Sequence, residues 1–188
     1  MLQNESIRFS PKLSRRVRDE IADIPFGQGF KVFLKFKERF YPDILILGTM
    51  KAFLADSWDE KTYYDAAFGK PTKDNVLGLF TAAQGRIARA ELGDKEIIKA
   101  VLAELDEIYG GVPSRAFENA YVKNWSREPY IRGSYSMEIE TDESPSAIFA
   151  PIEGRVFFAG EVLGGAEQAT VHGAAFSGIR AVKHILDA

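Results

Sequence analysis

The sequence predicts an α+β chain, a mostly antiparallel sheet with covering helices, that ends in one strand-turn-helix unit of the α/β kind. Three observations lead there. Short runs that alternate apolar and polar residues recur between Gly29 and Ala82, separated by turn residues and with no helical period among them. A long amphipathic pattern follows from Asp94. Beyond it, a continuous apolar run from Val156 to Ala159 passes through a Gly-rich turn into a helical pattern from Ala169 to Leu186.

Ser14 is placed to cap a charged helix running to Ile24, because its hydroxyl can accept one of the unpaired first-turn N–H groups. Residues 29 to 36 alternate with aromatic and β-branched enrichment, the pattern of a half-buried strand. Further strands are predicted over Ile44 to Thr49, Thr62 to Phe68 and Val76 to Ala82, divided by Asp56-Ser57 and Gly69-Lys-Pro71. Asp94 is read as the cap of a helix that gathers Ile97, Ile98, Val101, Leu102, Leu105 and Ile108 on one face and stops at Gly110-Gly111. That helix is expected to cover the sheet. Residues 116 to 125 alternate again, and 126 to 147 are polar with Gly and Pro, as a surface or cleft segment would be.

Composition narrows the function. Of the 188 residues 46% are hydrophobic and 27% charged, ordinary for a soluble globular chain, and no apolar run nears the roughly 18 residues that span a bilayer. A net charge of −3, with Lys and Arg interspersed among Asp and Glu, gives no footprint for nucleic acid. With no cysteine there is no disulfide, no thiolate nucleophile and no Cys-ligated metal, and the first residues lack a signal peptide. A cytoplasmic location, with no membrane and no metal, is the expectation.

The last segment carries the strongest functional signal. A strand ending in Gly160-Glu161, a Gly-rich turn and a helix that opens on small residues make the geometry that holds a nucleotide cofactor at a strand's carboxyl end. An ordinary unit closing a domain has the same spacing. In that helix Ala174, Gly178 and Ala181 supply a small-residue face for close packing. No Gly-x-Gly-x-x-Gly turn occurs in the chain, so the sequence reads as half of such a site.

Phe157-Phe-Ala-Gly-Glu161, followed by Ala169-Thr-Val-His-Gly-Ala174 and Ser177-Gly-Ile-Arg180, resembles the carboxy-terminal signature of the FAD-dependent amine oxidases. That group holds monoamine and polyamine oxidases, L-amino-acid oxidases and flavin histone demethylases. A block from Trp125 to Ser136 resembles the family's Trp…Pro…Gly-Ser-Tyr-Ser segment. Residues 29 to 36 resemble its Lys-bearing strand, and Phe9-Ser-Pro-Lys-Leu13 the start of its substrate domain. The resemblance is sharp over these blocks and diffuse between them.

The resemblance implies a non-covalent FAD cofactor and a small-molecule amine substrate. Gly160 and Glu161 then approach the ribityl-phosphate region. Thr170 and Val171 meet the flavin pyrimidine through their backbones at the helix start, where the positive dipole end favours a flavin anion. Lys31 is the one catalytic candidate, holding a water against flavin N5, with Lys35 on the same strand face. Trp125 lies near the flavin ring, and Tyr135 and Thr170 are on the substrate side. Ser134 stands where some monoamine oxidases carry a tethering cysteine. Many members have Tyr or Trp where this chain has Thr170, so a two-ring aromatic cage is not complete. The Thr-Val-His version occurs among polyamine-oxidase-like and demethylase-like members. His172 is read as packed behind the contact residues, without a catalytic role.

The resulting organisation is a connector over 1–25, a partial substrate-binding domain over 26–150, and over 151–188 the closing strand and helix of a Rossmann-like FAD-binding domain. The chain reads as the carboxy-terminal part of an amine oxidase, a truncated piece, a split gene product or one chain of a two-chain enzyme, with a separate amino-terminal chain or a homo-oligomer as the partner expected, and the sequence alone does not choose among these. Alternatives are a non-catalytic remnant used as a binding module, or a protoporphyrinogen-oxidase-like or desaturase-like enzyme. Loops 50 to 62 and 137 to 150 are expected to shape the substrate entrance, and the acidic Glu138, Glu140, Asp142 and Glu143 to attract a cationic amine.

Overall fold

A computed structural model describes residues 2–47, 61–83, 91–137 and 150–187. The chain divides into two compact units, one of residues 28–134 and one of residues 1–27 with 135–188.

The first unit is built on five antiparallel strands: β1 (Gln28–Phe36), β2 (Ile44–Leu47), β3 (Lys61–Asp65), β4 (Asn75–Ala83) and β5 (Phe117–Asn124), in the order β2-β3-β4-β1-β5. Alternation along β1 sends Phe30, Val32, Leu34 and Phe36 to one face, where Leu34 lies opposite Leu77 and Val32 opposite Leu79 of β4. Helix α2 (Asp94–Tyr109) closes that face with Ile97, Val101 and Leu105, all fully buried at a spacing of four. Each such side chain stabilises the fold by roughly 1.5–3 kcal/mol, which is why this helix and sheet form together. Ile108, expected on the same stripe, is 43% exposed because the helix ends one residue later. Glu104 ties the layers together, accepting the Tyr63 hydroxyl at 2.9 Å and the Lys61 ammonium at 2.5 Å.

Gly93, not Asp94, is the cap of α2, and its N–H is held by the Glu96 carboxylate at 2.9 Å. Asp94 moves one place inside, where its charge still suits the positive helix end. At the other end Gly110 takes the left-handed conformation, φ 60°, as the Gly-Gly stop predicts. A short α3 (Val112–Ala116) leads into β5. β3 stops at Asp65 rather than Phe68, because Asp65 accepts the Ala67 N–H at 3.0 Å and starts a turn.

On the opposite sheet face the ring of Tyr64 lies over Gly78, its cross-strand partner; a Cβ there would come within 2.5 Å of the ring. Burial holds the Tyr64 phenol above its ordinary value of 10.0. Gly78→Ala is therefore expected to push the ring off the sheet at a cost of about 1 kcal/mol, the low end for overpacking because the ring can swing. The Tyr64 signal in an NMR titration should then move back toward the ordinary phenol range; an unmoved signal would refute the stacking.

In the second unit, α1 (Arg15–Asp23) is capped as expected, Ser14 Oγ accepting the Val17 N–H at 3.3 Å. Val17 and Ile21 bury against Leu163, with Phe158 and Val162 alongside. The last helix, α4 (Val171–Leu186), follows the predicted span, with Thr170 as its cap. The strand expected over Val156 to Ala159 is not formed. Val156 makes one isolated bridge with Ile152, and residues 157 to 159 join no ladder. A strand exists only by pairing, and among the described residues none pairs with this run. Of the strand-turn-helix unit expected here, the described residues form the turn and the helix. Among the described residues no helix is long and apolar enough to cross a membrane.

Candidate functional site

The turn between Gly160 and α4 is built backbone against backbone. Two short 3-10 turns, Glu161–Leu163 and Gly165–Glu167, fold the chain back on the start of α4. Gly173 fits because it lacks a side chain: a Cβ there would stand 1.9 Å from the Glu167 carbonyl oxygen. One turn along the helix, the fully buried Ser177 accepts the Gly160 N–H at 2.9 Å, with its proton in reach of the Gly160 carbonyl at 2.8 Å or that of Ala174 at 2.7 Å. Arg180 donates to the Leu163 carbonyl at 2.6 Å. The packing face of α4 is therefore Gly173, Ser177 and Arg180. The expected face of Ala174, Gly178 and Ala181 is only half-buried, and beyond the helix's own backbone none of the described residues lies within 4 Å of where a Gly178 Cβ would be.

Glu161 is half-buried and joins three segments. Its Oε1 accepts the Ser136 N–H at 2.8 Å, and its Oε2 accepts the Ser136 hydroxyl at 2.7 Å and the Ala169 N–H at 2.9 Å. Gln168 adds a donor to Ser136 Oγ at 2.8 Å and to the Met137 carbonyl at 3.0 Å. The Thr170 hydroxyl donates to the Glu167 carbonyl at 2.6 Å and accepts the Gly173 N–H at 3.0 Å, so both its capacities serve the helix start. The N–H groups of Val171 and His172 meet no acceptor among the described residues. Val171 is 90% exposed, and a stripe of Phe176, Ile179, Val182 and Ile185 along α4 is exposed with it.

His172 is exposed too, its Nε2 2.6 Å from a Glu167 carboxylate oxygen and its ring edge-on to Phe176. It is not packed behind the turn as expected, because Gly173 takes the inward position one residue later. Tyr135 is half-buried, and burial holds its phenol above the ordinary 10.0.

In the sheet unit, Lys31 is half-buried on the face opposite the core, makes no ion pair among the described residues, and sits 5.6 Å from the Phe80 ring centroid. Lys35, on the same face, pairs with Asp74 at 2.8 Å and is the ordinary strand lysine of the two. Trp125 opens a 3-10 turn at the end of β5, under the Lys123 ammonium at 4.8 Å. That turn is fixed to β1 by the Gly29 N–H, which donates to Ser126 Oγ at 3.2 Å.

The structure thus gathers Gly160, Glu161, Thr170 and Val171 around one turn and places Lys31 and Trp125 on the sheet unit. Sequence reasoning missed Ser136, Gln168, Gly173 and Ser177. The spacing of Gly173, Ser177 and Arg180 by four and three was the available signal for the helix side. The acidic residues 138 to 143 and most of both entrance loops lie outside the described residues.

The family model described as flavin containing amine oxidoreductase matches residues 2–186. The chain is 30% identical over 186 residues to polyamine oxidase 4 of rice, covering 96% of this chain and 36% of that protein. It is 25% identical over 187 residues to the mouse lysine-specific histone demethylase 1B, covering 98% and 23%. It is 26% identical over 198 residues to the human peroxisomal N(1)-acetyl-spermine/spermidine oxidase, covering 95% and 39%. The chain spans between about a quarter and two fifths of the length of these curated relatives.

Proposed function

This chain belongs to the flavin containing amine oxidoreductase family, which implies a flavin cofactor, and from that premise we propose that it supplies the closing segment of a non-covalent FAD site and the substrate-domain sheet of an amine oxidase. The observation that carries the reading is the turn from Gly160 to Val171. Among the described residues it offers open space beside the Gly160 Cα, unpaired N–H groups at Val171 and His172, and a hydrophobic side chain held out at Val171. An anionic, partly apolar ring system fits that set of donors.

Bound FAD would supply a hydride acceptor for the substrate C–H, taking an amine C–N to an imine. The chain's own residues do the rest. The backbone at Thr170 and Val171 would hold the pyrimidine at the positive helix end, with the Val171 and His172 N–H groups as the donors. Glu161 has a lone pair to spare on Oε1, since a carboxylate accepts about four hydrogen bonds, and a ribityl hydroxyl can join its network without displacing a donor. Lys31, without an ion pair among the described residues, is suited to hold a water. Trp125 and Tyr135 offer apolar walls with polar tips, and the absence of cysteine leaves Ser134 unable to tether the cofactor. The substrate class is a small-molecule amine, of the polyamine kind that two relatives are named for. The exposed stripe of α4 and the unladdered run 157–159 are the surfaces that the remainder of the family fold would cover.

The test is a visible spectrum of the purified chain with excess FAD, alone and mixed with a chain carrying a Gly-x-Gly-x-x-Gly unit, followed by denaturation. Bound flavin bands that are released on denaturation are expected. A folded protein that stays colourless in both mixtures would overturn the reading.

A further inference from the structure

Ala169 has φ +62°, a left-handed conformation that alanine adopts rarely because its Cβ crowds the next carbonyl. Gly165, four residues earlier in the same turn, takes φ 63° as a glycine, which does so without strain, so the alanine at 169 must be held by its surroundings. What holds it is the Glu161 carboxylate, which accepts its N–H at 2.9 Å.

That carboxylate is itself fixed. Ser136, 1% exposed, gives it both a backbone N–H and a hydroxyl, and Gln168 donates to the same hydroxyl, so the single Ser136 proton is directed to Glu161. The network runs from Gln168 through Ser136 and Glu161 back to Ala169, the neighbour of Gln168. Thr170, the next residue, caps α4, so the peptide held at 169 decides where the helix begins and where the Val171 and His172 N–H groups point.

We infer that Glu161 is a positioning residue: its carboxylate holds Ala169 in the left-handed conformation and thereby aims the first N–H groups of α4. This assignment deepens the FAD reading and rests on it for its consequence, because those N–H groups are the donors offered to the flavin. The latch itself is a property of the chain without cofactor.

The experiment compares Glu161→Gln, Ala169→Gly and the double variant by amide hydrogen exchange on the whole chain, with FAD titration of each. Glutamine removes an acceptor, and glycine removes the need to hold residue 169, since it adopts positive φ without strain. Exchange at the Ala169 N–H should rise in Glu161→Gln. The Gly173 and Ala174 amides at the helix start should rise about tenfold there, the factor that a left-handed alanine's cost implies, and return to within about threefold of the parent in the double variant. A rise of equal size whether residue 169 is alanine or glycine would overturn the latch, as would an unchanged Ala169 amide. If Glu161→Gln does not fold, Ser136→Ala replaces it, with a smaller rise expected and the same rescue by Ala169→Gly required. FAD affinity separates the two claims. Weakened binding in Glu161→Gln that Ala169→Gly restores in part supports positioning, the unrestored part being the ribityl contact; weakened binding that it does not restore at all makes Glu161 a contact only and overturns the assignment. The exchange pattern without FAD binding in any variant, the parent included, alone or mixed with the Gly-x-Gly-x-x-Gly chain, leaves the latch standing and removes the flavin reading.

Discussion

Gly173→Ala should release the turn from Gly160 to Thr170 from α4, while the same substitution five residues on, Gly178→Ala, should stabilise the protein. Both glycines lie in the interior of one helix, where alanine is favoured by about 1 kcal/mol. They differ in what a new Cβ would touch. At 173 it would stand 1.9 Å from the Glu167 carbonyl oxygen and 2.8 Å from the Glu167 carbonyl carbon, and backbone cannot swing aside as a side chain can. At 178 it meets none of the described residues within 4 Å beyond the helix's own backbone. Relief at 173 requires the helix to move outward by more than an ångström, which pulls Ser177 away from Gly160 and Arg180 away from the Leu163 carbonyl. The cost should be about 3 kcal/mol or more, beyond the helix-propensity gain, because buried partners are lost together with the steric fit. Amide exchange read over residues 160–180 checks it. Expected is loss of protection at Gly160 and Leu163 in Gly173→Ala, and unchanged or slower exchange in Gly178→Ala. Parent-like protection at Gly160 in the 173 variant would show that this close contact does not organise the turn.

That contrast explains how much of the molecule could be read from its sequence. The strands and α2 were legible because burial on a single face imprints a period: Phe30, Val32, Leu34 and Phe36 alternate with Lys31, Phe33 and Lys35, and Ile97, Val101 and Leu105 recur every fourth residue. Helix α4 was legible as a helix, but not its packing face. Small residues lie all round its first half, and a glycine pressed against backbone looks the same in sequence as one facing open space. The Ser136–Glu161–Gln168 network joins residues 25 and 32 apart, and such a distance leaves no local pattern. Residues 156 to 159 were misread for the complementary reason. An apolar run records that a segment is hydrophobic, whereas strand formation depends on a neighbour that the run itself does not encode. The motif pointed to the right turn, and the side chains that shape the turn come from outside its most recognisable letters.

Phe36→Ala is the substitution expected to cost the sheet unit most. Phe36 is 1% exposed and stands where β1 meets three other rings: Phe40 at 4.8 Å, Tyr41 at 6.1 Å and Phe117 at 6.4 Å between centroids. Truncation removes the buried ring, its edge-to-face partners and the filling of the space between β1, β5 and the 38–41 segment. The expected loss is about 3–5 kcal/mol, against a whole-domain stability of roughly 5–15 kcal/mol. Phe36→Leu keeps most of the volume and should cost about 1.5 kcal/mol or less. Urea unfolding of the three proteins orders them, and an alanine variant within about 1 kcal/mol of the parent would mean that the site collapses without a cavity. A second readout comes from Tyr41. Its buried hydroxyl has no partner among the described residues, and burial, with Asp65 nearby, pushes its phenol up to about 12. In the unfolded chain that phenol ionises near 10, so between pH 10 and about 12 the parent loses stability, because the unfolded state releases a proton that the native state retains. Opening the space beside the ring lets water reach the hydroxyl and lowers the native value. The stability gap between parent and Phe36→Ala should therefore narrow as pH rises through that window. A gap of constant width would show that the water does not reach Tyr41.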